Sequence, residues 1–376
     1  MKKLLLSLVV LLGVTLAADE SNTKKQIPPA VTPVENYTPP QLSNPDSWTM
    51  VVVPDTQAYV KNLRNQGTGD MIFSWIAENV DNLKIQQVIH LGDLVDDNIN
   101  FSTSDKNNQT SPKQWKCVSR YFERLDNIVP YIITTGNHDV GHGRYYSAED
   151  YDSELAKYFH FGRNSKWENT LWEVGLNGVG KRTLENAAYR FTTPNGQKIL
   201  IVAVGFAPTQ NQMKWVQEVF EHPEHKDYFG ILVTHSYSES QLGKNPRIAI
   251  EHYPICKAGG NSGEAIFYNY VRRLPNLRMV LCGHISSPDN WLGCVNYTKS
   301  KNWAGKTVHE ILFDPQALGG GWHGNGGDGW IRLMEFDKDM KTVKVKTFSP
   351  FFAYSPSTQH LAWHTAPFNE FEFDID

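Results

Sequence analysis

Between residues 49 and 284, short continuous apolar runs alternate with segments of helical period. The runs are TMVVVPD (49–55), QVIHLGD (87–93), PYIITTGN (130–137), KILIVAVG (198–205), GILVTHS (230–236) and LRMVLCGH (277–284). Runs this apolar read as strands buried on both faces rather than half-wet ones. Between them, MIFSWIAENV (71–80) places apolar residues at 72, 73, 76, 77 and 80, the spacing of one helix face. PKQWKCVSRYFERL (112–125), NQMKWVQEVFEH (211–222) and GEAIFYNYVRRL (263–274) also read as helices. Buried strands alternating with helices describe an α/β fold. After residue 305 the pattern changes, and TVHEILFD, GWIRLMEFD and TVKVKTFS read as a run of antiparallel strands. There is no internal repeat.

The chain opens MKKLLLSLVVLLGVTLAADE, two lysines before an apolar run from Leu4 to Leu16 and then Ala17 and Ala18. This predicts a signal peptide over 1–17, cleaved after Ala17 or Ala18, and hence a secreted or periplasmic protein. The run is shorter than the ~20 residues a spanning helix needs, so no transmembrane segment is expected in the mature chain. Residues 18–47 are polar and proline-rich and read as a tether or an extended strap. Residues 48–376 then form one large domain, with 12% aromatic residues in the chain to fill its core. Losing Lys2 and Lys3 takes the formal charge from -4 to -6, so nothing in the bulk charge suggests a nucleic-acid partner. Of the four cysteines, Cys256 and Cys294 lie in loop-like sequence and could pair, whereas Cys282 reads as a buried strand thiol and Cys117 lies in a helical segment.

The strands share one property at their C-terminal ends. The first ends on Asp55 and Gln57, the second on Asp93, and the third on Asn137, His138 and Asp139; later ones end on His235 and His284. In α/β sheets ligands bind beyond the carboxyl ends of the strands. If Asp55 and Gln57 continue the strand, residues i and i+2 face the same way and both reach one object. Mixed O and N donors suit divalent metals, and Asp93 could bridge two ions that clamp a phosphate and acidify a water. Two carboxylates against two divalent ions leave the site cationic and favour an anionic substrate. His138 faces a leaving group as general acid, with Asp139 expected to hold its tautomer.

In this order and spacing, PDTQ, GDLVDD, GNHD, VTHS and CGH resemble the calcineurin-like metallophosphoesterases over roughly residues 49–290. The closing GDGWIRLMEFDKDMKTVKVKTFSP is similar to the tail of a secreted bacterial subgroup that carries PDTQ. The resemblance implies a four-layer αββα sandwich of two mixed β-sheets, with the late strands forming the second sheet. It implies Asp55, Gln57 and Asp93 as ligands of a first metal, Asp93, Asn137, His235 and His284 as ligands of a second, and His138 as the acid.

Two departures fall on the first metal: Gln57 stands where the family usually has His, and Ser286 where a second His should follow His284. An oxygen-rich site should prefer Mn, Mg, Ca or Fe(II) to Zn, and His309 is a candidate replacement ligand. Asp96 stands where purple acid phosphatases place a Tyr, which argues against an iron–tyrosinate site. His90 reads as a satisfied core histidine. His142, Arg144, Trp322 and His323 are candidate substrate contacts, and the 140–190 insertion is a candidate lid. The expected function is hydrolysis of a small-molecule or polymer phosphomonoester or phosphodiester, with a related anhydride or nucleotide also open to the same chemistry. The alternative is a binding protein of the same fold with a degraded first site, against which the intact His138 argues.

Overall fold

In the computed structural model, which describes residues 36–141 and 148–376, the apolar runs become strands. They are β1 (Trp48–Val53), β2 (Ile85–His90), β3 (Tyr131–Ile132), β4 (Leu171–Leu176), β5 (Arg182–Thr192), β6 (Lys198–Val204) and β7 (Phe229–Thr234). Then follow β8 (Leu277–Cys282), β9 (Val295–Lys301), β10 (Thr307–Phe313), β11 (Ile331–Phe336), β12 (Thr342–Phe348), β13 (Trp363–His364) and β14 (Phe371–Asp374). They make two seven-stranded mixed sheets. The first runs β13-β12-β11-β1-β2-β3, with β14 also on β12; the second runs β4-β5-β6-β7-β8-β10-β9. β1, β2 and β3 are parallel, as are β6, β7, β8 and β10.

The period of two along each strand explains the layers. On β6, Ile199, Ile201 and Ala203 belong to the core shared with β1 and β2 of the other sheet. Leu200, Val202 and Val204 face the opposite way, onto Met213, Val216, Val219 and Phe220 of the helix Gln210–Glu221. That helix starts on a capping box between Thr209 and Gln212. On the outer side of the first sheet, the helices Gln66–Glu78 and Ser111–Glu123 meet through Phe73, whose ring lies 5.6 Å from Tyr121 and 4.8 Å from Phe122. The result is helix, sheet, sheet, helix.

The late strands, expected to form the second sheet together, divide between the two sheets. β10 enters the second sheet parallel to β8, while β11 and β12 extend the first. The reason is an open edge: β2 and β3 add to one side of β1, and β11 closes the other as an antiparallel partner. The second sheet instead gains β4 and β5, which occupy residues 171–192 as an antiparallel pair at its edge, so that part of the 140–190 insertion is sheet and not lid.

The expected signal peptide, most of the 18–47 segment, His142 and Arg144 lie outside the described residues. Residues 38–46 lie against the domain: Trp363 Nε1 donates to Thr38 O at 2.8 Å, and the Ser43 backbone N donates to Glu335 Oε1 at 2.8 Å. All four cysteines are unpaired. Cys256 packs against the cluster of Val140 and Phe206, while Cys294 is buried and exchanges hydrogen bonds with the Ser287 backbone, so the expected Cys256–Cys294 pair does not form. No helix among the described residues is long and apolar enough to cross a membrane.

Candidate metal centre

The carboxyl ends of the parallel strands of both sheets meet at one point. Asp55, Asp93 and Asn137 follow β1, β2 and β3; His235, His284 and Asp314 follow β7, β8 and β10. Asp55, Asp93 and His235 bring ligand atoms within 4.8 Å of one another, all buried. His235 Nε2 is the centre of a tighter group, 3.3 Å from Asp93 Oδ2, 3.2 Å from Asn137 Oδ1 and 3.3 Å from His284 Nδ1.

The partners of these groups fix their protons. His235 Nδ1 lies 2.9 Å from the Leu91 carbonyl, which can only accept, so Nδ1 carries the hydrogen and Nε2 a lone pair. His284 Nε2 lies 3.1 Å from Glu251 Oε1, which leaves a lone pair on Nδ1. Asn137 Nδ2 donates to Tyr253 Oη at 3.1 Å, which turns Oδ1 inward. With both imidazoles neutral, as metal ligation requires, four lone-pair atoms therefore converge with no hydrogen among them. Ligands held tetrahedrally at about 2.0–2.1 Å from one ion stand about 3.3–3.4 Å apart, close to the separations found here. The residues present fit a divalent metal.

Close backbone approach explains the glycines that precede the ligand candidates. A Cβ on Gly136 would stand 2.0 Å from Asp93 Oδ1, and one on Gly283 would stand 2.4 Å from Asp55 Oδ1. Asp93 and His284 themselves adopt left-handed backbone, φ 50° and 78°, conformations non-glycine residues seldom hold without compensation. Thr56 N and Gln57 N, both donating to Asp93 O, brace the first of these turns.

On the other side of Asp93, Gln57 Nε2 lies 3.2 Å from Asp93 Oδ2 and 2.8 Å from Gln316 Oε1. Gln57 reaches the site, but not by strand alternation: Thr56 turns into helical backbone and Gln57 begins the helix Gln57–Val60. Asp55 Oδ1 and Gln57 Oε1 are buried and lack a hydrogen-bond partner. Burial, then repulsion from Asp314 and Asp93, pushes the Asp55 carboxyl well above its usual range. Burial also raises Asp314, to about 6. Burial would raise Asp93 as well, but the imidazoles of His235 and His138 outweigh it and hold that carboxyl low.

Asp139 does not hold His138 as expected. It accepts the backbone N–H of Val95 on Oδ1 and those of Leu94 and Gly136 on Oδ2, tying together the two loops that carry Asp93 and Asn137. The ring of His138 is held instead by the Asp96 carbonyl, 2.6 Å from Nδ1, and its backbone N donates to Asp93 Oδ1 at 2.9 Å. His309 is away from the site: it sits inside β10, Nδ1 3.0 Å from Tyr297 Oη and ring stacked on Phe373, and burial takes it down to about 4. Ser286 points to the Asp314 backbone. His90 is a core histidine, with Gly92 N donating to Nδ1 and Nε2 3.0 Å from Thr56 Oγ1. His323 is exposed on the glycine-rich turn, where burial and then the charges of Lys61 and Lys106 hold it below its ordinary range.

Sequence reading missed Asp314, Gln316, Glu251 and Tyr253. Burial opposes a charged His284, yet the Glu251 hydrogen bond and charge outweigh it and hold the imidazole above its ordinary value. A carboxylate behind a ligand histidine fixes its orientation and basicity, and its loss typically weakens metal binding 10–100-fold. Glu251→Ala should therefore weaken Mn(II) binding by ~10–100-fold in a calorimetric titration; an affinity unchanged within about twofold would remove Glu251 from this role.

Over 320 residues the chain is 29% identical to the uncharacterized protein YvnB of Bacillus subtilis (strain 168), covering 81% of this chain and 20% of that one. The chain thus spans about a fifth of the length of that relative. Among solved structures, a similar chain is GAP50, described as the anchor in the inner membrane complex of Plasmodium: 12% identical, TM-score 0.43, with 88% of this chain and 89% of that one covered. Residues 50–288 match the family described as calcineurin-like phosphoesterase, and the chain belongs to that family.

Proposed function

We propose that the protein hydrolyses phosphoester bonds with two divalent ions, the first held by Asp55, Gln57 and Asp93 and the second by Asp93, Asn137, His235 and His284. The observation that carries this reading is the convergence of four lone-pair atoms around His235 Nε2, beside the unpartnered oxygens of Asp55 and Gln57. Buried acceptors facing one another are costly unless a cation lies among them. When bound, the ions supply charge that polarises the phosphoryl group and acidifies a water.

The chain's own residues do the rest. Asp93 sits between the two ligand sets and orients the His138 backbone through Oδ1. Asp139 keeps the two ligand loops in register. Phe206 packs its ring against His235 and His284, centroids 6.0 and 5.6 Å away, and keeps that side of the second site dry. His138 donates its Nδ1 hydrogen to Asp96 O, so Nε2 is the nitrogen through which a proton reaches a departing alkoxide. His323, near Lys61 and Lys106, offers an anionic substrate contact at the rim; His142 and Arg144 follow the His138 loop and are proposed for the same task. The oxygen-rich first set favours Mn, Mg, Ca or Fe(II) over Zn. Export through residues 1–17 would place this chemistry outside the cytoplasm.

The test is an assay of metal-stripped protein on aryl and alkyl phosphate mono- and diesters, with Mn, Mg, Fe(II), Ca or Zn restored one at a time. Turnover that depends on the added metal supports the hydrolase. Ion binding without turnover for any ester or metal would replace it with the binding-protein reading.

A further inference from the structure

We propose that Asp314 is a ligand of the first metal ion and fills the place that Ser286 leaves open. The inference rests on the two-ion reading above and concerns a residue beyond the matched family region, which ends at residue 288.

Topology brings Asp314 to the site. β10 is parallel to β8, with Leu312 opposite Cys282, and two residues further along the two strands stand Asp314 and His284. The rule that placed five other ligand candidates applies here without change, because β10 also ends on a metal-capable residue. Its ending, Asp314-Pro315-Gln316, repeats the Asp55-Thr56-Gln57 pattern that ends β1 in the opposite sheet.

The two segments interlock. Gln316 Nε2 donates to Asp55 Oδ2 at 3.0 Å and to Asp314 Oδ2 at 3.1 Å, while Gln316 Oε1 accepts from Gln57 Nε2 at 2.8 Å. Asp55, Gln57, Asp93, Asp314 and Gln316 are all at most 5% exposed. Three carboxylates are thus sealed in one pocket, and among the described residues no Lys or Arg forms an ion pair with them; the basic side chains beside them are the imidazoles of His235, His138 and His284. Buried charges in that state call for a counter-cation. Independently, Asp55 Oδ1 and Gln57 Oε1 are fully enclosed with no hydrogen-bond partner.

Ser286 shows what became of the missing histidine position. Its Oγ donates to the Asp314 carbonyl at 2.6 Å and accepts from Ala317 N at 3.2 Å. The side chain is engaged by the loop that carries Asp314 and pins it. A carboxylate delivered from β10 replaces an imidazole delivered from the β8 loop. The donor set becomes oxygen throughout, which suits hard cations such as Mg, Mn and Ca. Three carboxylates against two divalent ions still leave one net positive charge to attract an anionic substrate.

The experiment is a calorimetric titration of the metal-stripped full chain with Mn(II), repeated on Asp314→Asn and Ser286→Ala, with ions per chain counted after dialysis. Wild type should take two ions. Asp314→Asn should hold one at unchanged affinity and the other at least ~100-fold more weakly, beyond what loss of an outer-shell partner gives. Ser286→Ala keeps every carboxylate and frees the loop, so the same ion should weaken by ~10-fold or more; this arm stands if Asp314→Asn fails to fold. Two ions bound unchanged by both variants would overturn the ligand role and leave the hydrolase reading intact. A wild type that takes no ion would overturn the two-ion reading itself.

Discussion

Exchanging Asp93 for Asn is expected to empty the centre of both ions. Asp93 Oδ2 faces His235 Nε2 at 3.3 Å and Gln57 Nε2 at 3.2 Å, so one carboxylate stands between both proposed ligand sets. An amide cannot serve both sides. If its oxygen stays on the His138 backbone N–H, its NH₂ is presented to the lone pair of His235 and to the Gln57 donor. Each ion should bind at least ~100-fold more weakly, more than an outer-shell loss, and ester hydrolysis should fall below detection. The fold should survive the change. Asn tolerates the left-handed backbone at position 93 as Asp does, and the braces from Thr56 N and Gln57 N reach the backbone carbonyl, not the side chain. Metal content after dialysis and Mn(II) calorimetry check this together. Two ions retained at wild-type affinity would mean that Asp93 is not the shared ligand.

The strands and the ends they present were legible because buried parallel strands announce themselves as unbroken apolar runs, and each carries its ligand candidate in the loop that follows it. Which sheet a strand joins was not. Period two reports that a strand is buried, and nothing in TVHEILFD or GWIRLMEFD says whether its neighbour is β8 or β1. β4 was missed because it is an edge strand, half-buried over most of its length, with a mixed pattern. Gln57 reaches Asp93 through a turn at Thr56 and not through strand alternation. Asp314 was visible in principle: FDPQ ends an apolar run as PDTQ does. The family motifs that organised the other ligand candidates end before it, at His284. Glu251 and Tyr253 lie in an irregular loop, where no periodicity exists to mark a side chain as inward-facing. Their roles come only from the distances to His284 and Asn137.

Replacing His138 with Asn should separate binding from chemistry. The backbone N–H that serves Asp93 is retained, so the ions should bind within about twofold of wild type. An Asn amide can also take over the hydrogen bond that Nδ1 now makes to the Asp96 carbonyl. What it cannot do is deliver a proton from the position of Nε2. General acid catalysis contributes ~10²–10⁴-fold, and the loss should depend on the leaving group. An alkyl phosphoester departs as a strongly basic alkoxide and needs the proton; an activated aryl ester departs as a stable phenolate and hardly does. The variant should therefore lose ~10²–10⁴-fold in turnover on an alkyl ester and far less on a nitrophenyl ester, with ion affinity unchanged. Equal losses on both esters would make His138 a structural residue of the loop, and a loss that tracks weakened Mn(II) binding would make it a support of the metal centre instead of the acid.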